Sequence, residues 1–166
     1  MLDAHEGMVK NGFVRGRMNK DYKPNDDVYT PPELFEALNL RFDLDVCGPV
    51  GGLPWIPANR TFSIEDDGLA QEWVGRVWMN PPFSGPKHWV AKWLEHKNGI
   101  MIAPLSKSNW FMDLWNSEAA VINNPVRFRF IKPDGSKYSI AFPTAIWAIG
   151  ETNITALKMS GLGVIR

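Results

Sequence analysis

The chain has 166 residues, enough for one domain with a sizeable core and too few for two comfortable ones. Its 18 Lys and Arg balance 18 Asp and Glu, which excludes a strong global field towards polyanions, so a nucleic-acid site must be a local patch. A single cysteine, Cys47, excludes an internal disulfide and a thiolate zinc site and suits a reducing cytosol, and no apolar run of about 18 residues suggests a membrane span or export signal.

In chain order, residues 1–24 carry Lys10, Arg15, Arg17, Lys20 and Lys23 with little apolar periodicity, which predicts a mildly basic, poorly ordered arm ahead of one domain over 25–166. "YTPPELFEALNL" predicts a helix that Thr30 caps, with Pro31 at its first position and Glu33 completing a T-x-x-E capping box. Leu34, Phe35 and Leu38 form its apolar face. "FDLDV" alternates and then meets "CGPVGGLP", a short strand running into a Gly/Pro-rich loop with Asp45 near its carboxyl end. "TFSIEDDGLAQEW" predicts a strand turning at Asp66-Asp67-Gly68 into a short helix, and "GRVWM" is the next strand, ended by two prolines. "GPKHWVAKWLEHK" places Trp89, Val90, Trp93 and Leu94 at helical spacing. "GIMIAPL" is continuously apolar, as in a strand covered on both faces. "SNWFMDLWNS" predicts a helix with Trp110, Phe111, Leu114 and Trp115 on one side, and "AAVIN", "RFRFI" and "TAIWAIG" supply later strands. The alternation of strands and helices predicts an α/β fold, its sheet mostly parallel in the centre with an antiparallel pair towards the C-terminus.

In open α/β sheets ligands bind beyond the carboxyl ends of the strands, and three such ends carry polar residues here: "DVCGP", "MNPPF" and "APLSKS". The sharpest is Asn80-Pro81-Pro82-Phe83. Two prolines fix two φ angles and restrict the Asn before them, so the turn is set before a ligand arrives. Neither proline has an N–H, so the local backbone offers chiefly carbonyl acceptors, and the Asn80 side-chain oxygen adds another. Such a cluster suits an amino group with two hydrogens, and Phe83 supplies a flat face for the planar group that carries it. An exocyclic nitrogen held in this way can attack an electrophile in line, and a sulfonium methyl needs no strong general base.

These residues resemble the catalytic motif of amino-methyltransferases that use S-adenosylmethionine, and the wider chain looks like the small phage-type DNA N6-adenine methyltransferase (Dam) family. The resemblance runs through "YTPPELFEAL", "FDLDVCG", "DDGLAQEW", "GRVWMNPPFSGPKHWVAKW", "MIAPLSKSNWF" and "VRFRF", over roughly residues 29–131. It implies a reduced, Rossmann-like methyltransferase fold in one catalytic domain without a separate target-recognition domain. It also implies methyl transfer from S-adenosylmethionine to adenine N6, with Asn80 and Pro81 holding the amine, Pro82 stiffening the turn and Phe83 stacking on the base. Tyr29, Thr30 and Pro31 then lie over the cofactor's methionine end, and Asp45 faces its amino acid or ribose. The family's G-x-G cofactor loop is replaced by the run that starts at Cys47-Gly48, so the adenosine end falls to Asn59 and one of Asp66 or Asp67 by position. Thr30 serves equally as a helix cap, Asp45 as a solvated loop carboxylate, and Asp67-Gly68 as a turn.

Duplex adenine reaches such a pocket only by leaving the stack, so the expected partner is double-stranded DNA whose base is flipped onto Phe83. Lys107, Arg127, Arg129 and Lys132, with the basic arm, are the candidate phosphate contacts, and solvated surface charge is the alternative for each. Sequence readout is left to short insertions such as 47–60 or 132–143, which implies a short recognition site or modest specificity. His88 decorates a helix start, and no histidine spacing suggests a metal site. The resemblance places the protein in the cytoplasm of a bacterial host, encoded by a phage or prophage. Competing readings are an amino-methyltransferase acting on guanine N2 in RNA or on protein glutamine, and an idle protein that binds S-adenosylmethionine or DNA without turnover.

Overall fold

The computed structural model describes residues 28–123, 125, 128–140 and 142–166, so the basic arm and Arg127 lie outside the described residues. Its largest sheet has six strands in the order β2-β1-β3-β4-β8-β5. They are β1 (Phe42–Asp45), β2 (Ala58–Thr61), β3 (Val77–Met79), β4 (Gly99–Pro104), β5 (Ala120–Asn123) and β8 (Thr144–Ile149). The first four in spatial order are parallel. The antiparallel part is larger than the sequence suggests, because β8 runs against both β4 and β5. A separate two-stranded ladder joins β6 (Phe130–Ile131) to β7 (Lys137–Tyr138), closed by a turn in which Gly135 adopts a left-handed φ of 84°.

Helices cover both faces of the sheet, which explains the unbroken apolar runs in its central strands. Alternate residues of β3, β4 and β8 point to opposite sides. Val77, Met79, Met101 and Trp147 pack with Trp89, Val90 and Trp93 of α2 (Lys87–His96) and with Leu114 of α3 (Asn109–Trp115). Trp78, Ile100, Ile102 and Ile146 pack with Leu34, Phe35 and Leu38 of α1 (Pro32–Leu38) and with Leu157 of α4 (Glu151–Met159). No helix among the described residues is long and apolar enough to cross a membrane.

Four expectations need correction. Helix α1 begins at Pro32 with Pro31 at its N-cap, and no side chain caps it, so the Thr30–Glu33 box does not form. Thr30 is drawn out of the cap position because Tyr29 pairs with Ile131 through both backbone bonds, at 2.7 and 2.9 Å, and Trp55 Nε1 donates to the Thr30 carbonyl at 2.8 Å. The strand expected in "TFSIEDDGLAQEW" before the Asp66 turn lies earlier, at Ala58–Thr61, and the segment after it forms turns rather than a helix. There Asp66 accepts from the Ser63 amide and hydroxyl, Asp67 takes a left-handed φ of 56°, and Trp73 Nε1 donates to the Gly68 carbonyl. On α3 only Leu114 is fully buried, while Trp110 and Phe111 are half-buried and Trp115 is exposed. Finally, "RFRFI" yields a strand only at Phe130–Ile131, where Phe130 is buried and neighbouring Arg129 is exposed.

The free sides of the outer strands differ. Along β5, Val121 and Arg166 exchange backbone bonds at 2.8 and 2.9 Å, and Ile122 bridges Ile165, so the chain's end lies along that edge. Strand β2 has no such cover among the described residues, and Asn59 and Arg60 on it are exposed.

Candidate active site

The carboxyl ends of β1 and β3 open into a narrow cleft with a cavity of about 30 Å³. Val28, Thr30, Asp45, Cys47, Asn80 and Pro82 are among its walls. A cleft at this end of an α/β sheet is where a small ligand is expected.

Asp45 is only 1% exposed, although it ends a strand beside a loop. The Cys47 amide donates to its Oδ1 at 3.2 Å. Burial pushes the carboxyl up from 3.8 to about 7, and the Cys47 hydrogen bond opposes that rise only in part. The alternative of a solvated loop carboxylate is therefore removed. Thr30 is equally buried, and its Oγ1 has no hydrogen-bond partner. A hydroxyl without a partner and a buried carboxyl thus line one cleft, an arrangement that costs stability until a ligand with matching groups arrives. Gly48 is one backbone wall of the cleft. A Cβ there would stand 2.4 Å from Thr61 Cγ2 and 2.7 Å from Asp45 Oδ2, so no larger residue fits without moving the acid.

The apolar strand β3 delivers Asn80 to the same cleft. Asn80 Nδ2 donates to the Val28 carbonyl at 3.0 Å, which fixes the amide's orientation and turns Oδ1 the other way. Pro81 and Pro82 are buried, and the Pro82 carbonyl accepts from the Gly85 amide at 3.1 Å, closing the turn. Phe83 is half-buried between two rings. Buried Phe130 lies at 6.4 Å and 82°, and exposed Phe142 at 6.0 Å and 58°. Three successive residues therefore tie the site together: Val28 holds Asn80, Tyr29 pairs with β6, and Thr30 receives Trp55.

The remaining candidates divide into those near the cleft and those apart from it. Tyr29, Cys47 and Gly48 line it, and Pro31 is buried at the start of α1. Asn59 and Asp66 line a neighbouring open groove that shares Leu53 and Ile56 with the cleft. Asn59 accepts from Arg41 Nη2 at 3.3 Å, and Asp66 is engaged by Ser63. Asp67 serves the turn through its backbone, since its carbonyl accepts from Ala70 and Gln71. Lys107 and Arg129 are exposed, and Lys132 Nζ lies 4.6 Å from the centre of the Tyr138 ring. His88 is exposed at the start of α2, and no cluster of metal-ligating side chains occurs among the described residues. Sequence reasoning missed the Val28 carbonyl, Trp55 and Phe142. A backbone acceptor has no residue signature, whereas the two aromatic residues stood inside the insertions named for substrate readout.

The family model described as DNA N-6-adenine-methyltransferase (Dam) matches residues 18–148. No curated protein and no solved structure matches the chain.

Proposed function

Since the chain belongs to the DNA N-6-adenine-methyltransferase (Dam) family, we propose that it uses S-adenosylmethionine to methylate adenine N6 in double-stranded DNA. One observation carries this reading: the Asn80 turn, the unpartnered Thr30 hydroxyl and the buried Asp45 carboxyl line the same cleft. The reading treats residues 25–166 as one catalytic domain with a Rossmann-like sheet.

The donor set fits the cofactor. Asp45, as a carboxylate, pairs with an ammonium or accepts from hydroxyls, and Thr30 Oγ1 supplies a buried hydroxyl without a protein partner. Tyr29, Pro31, Cys47 and Gly48 complete that side, and the groove of Asn59 and Asp66 is the continuation available to the adenosine end. S-adenosylmethionine, when bound, supplies a methyl group on a positively charged sulfur.

The chain's own part is to present the amine. Pro82's carbonyl is engaged by Gly85, so the two hydrogens of N6 go to Asn80 Oδ1 and the Pro81 carbonyl. Accepting both hydrogens leaves the nitrogen lone pair directed away from these oxygens and stabilises positive charge as it grows on the amine. The Val28 anchor fixes Asn80 in advance, so little reorganisation is needed. Phe83, supported by Phe130, offers its open face to the flipped base. Lys107, Arg129 and Lys132 contact phosphates near the mouth, and Arg127 is assigned the same role from sequence alone.

The test is transfer of labelled methyl from S-adenosylmethionine to adenine-unmethylated DNA, followed by nucleoside mass spectrometry. N6-methyladenine made by the wild type and lost in Asn80→Ala supports the reading. Cofactor binding with no product on DNA refutes it.

A further inference from the structure

We propose that Phe142 stacks on the base beside the target and fills the gap that the extruded adenine leaves. This rests on the reading of the protein as a base-flipping adenine methyltransferase.

Phe142 is 47% exposed, an unusual position for a ring, yet it is not isolated on the surface. Its centroid lies 6.0 Å from Phe83, the ring assigned to the flipped base. The planes meet at 58°, so one base cannot lie flat on both rings. A base stacked on Phe83 leaves the exposed face of Phe142 for a different one. Phe130 is differently placed: it is 3% exposed and meets Phe83 edge-on, as a support.

The residue after Phe142 holds it in place in two ways. Pro143 follows it and confines its backbone to extended conformations. The Pro143 carbonyl accepts from the Leu105 amide at 3.0 Å, fastening the segment to the end of β4. Exposed Lys107 stands two residues beyond that fastening, and exposed Arg129 adjoins Phe130. An open aromatic face with cations nearby is the combination that binds nucleic acid through stacking and phosphate neutralisation. Extruding an adenine exposes the faces of its two neighbours, and a fixed apolar ring at the gap offsets that loss of stacking.

The experiment compares two duplexes that share an adenine methylated by the wild type. In one it is correctly paired, and in the other it is mispaired, so leaving the stack costs less. Phe142→Ala and Phe142→Trp are measured on both, with thermal melts of each variant. The expected result is that Phe142→Ala lowers transfer to the paired duplex roughly tenfold to a hundredfold and lowers it much less on the mispaired one. Phe142→Trp should keep the wild-type ratio between the two. Equal losses on both duplexes would show a mere support for Phe83 and overturn the proposal, as would no loss on either. Absence of wild-type transfer to DNA would remove the underlying reading, and the proposal with it.

Discussion

Asp45 and Asn80 stand at the carboxyl ends of paired strands, β1 and β3, and the protein prepares them in opposite ways. Asn80 is anchored by the Val28 carbonyl and followed by two prolines, so its position is settled without a ligand. Asp45 is placed as firmly, but burial shifts its carboxyl to about 7 and Thr30 beside it lacks a hydrogen-bond partner. At one strand end the geometry is finished in advance. At the other the energetics are left for the ligand to finish. Binding and chemistry should therefore separate by residue.

The largest expected effect is on chemistry. Asn80→Ala should lower single-turnover methyl transfer roughly a hundredfold to a thousandfold, as for loss of one oriented group that stabilises developing charge. Calorimetric titration should show nearly unchanged cofactor affinity, and a parallel fall in affinity would break the division between the two ends.

Next come the two opposed pH trends of Asp45. Its carboxyl titrates near 7 in the fold against 3.8 in the unfolded chain, so the native state holds more protons between those values. Stability of the ligand-free protein should fall as pH rises from about 4 to about 7, by on the order of 4 kcal/mol in total. Cofactor affinity should run the other way, rising up to about tenfold per pH unit below 7, because the carboxylate is the form that pairs with a cation. Asp45→Asn should melt higher than wild type at pH 8 without ligand and bind the cofactor more weakly. Melting curves and titrations across this pH range decide the matter, and a flat profile in both would show that Asp45 does not titrate there.

A smaller effect is expected at Thr30. Thr30→Val keeps the shape and removes a buried hydroxyl without a partner, so the ligand-free protein should gain about 1 kcal/mol while cofactor affinity drops a few-fold. A loss of stability in a denaturant titration would mean that the hydroxyl already has a partner. Smallest is Trp55→Phe, which deletes one donor to the Thr30 carbonyl and should cost about 1 kcal/mol with little change in transfer.

The elements legible in the sequence were those whose burial writes a pattern. The apolar run of β4 and the helical spacing of Trp89, Val90 and Trp93 are direct consequences of what each covers. The Asn80 turn was legible because two prolines act locally. Where local chemistry competed with distant contacts, the distant contacts prevailed. The T-x-x-E signature at Thr30 is sound as a helix start, yet the Ile131 backbone and the Trp55 indole hold the strap extended. Strand β2 was placed too late in the chain because "ANRT" lies at the sheet's edge with Asn59 and Arg60 exposed, so no apolar alternation marks it. The burial of Asp45 was hidden for a related reason, since the walls that enclose it come from Val28–Thr30 and Leu53–Ile56, distant in sequence.

The chain's last residues have a consequence for how molecules of this protein can associate. With Ile165 and Arg166 laid along β5, the six-stranded sheet keeps one uncovered side among the described residues, at β2. Growth of a fibre through this sheet needs two free sides on every molecule, one to receive and one to offer. An edge already occupied along Val121 and Ile122 cannot accept another chain there, so among the described residues backbone pairing through this sheet is confined to the β2 side.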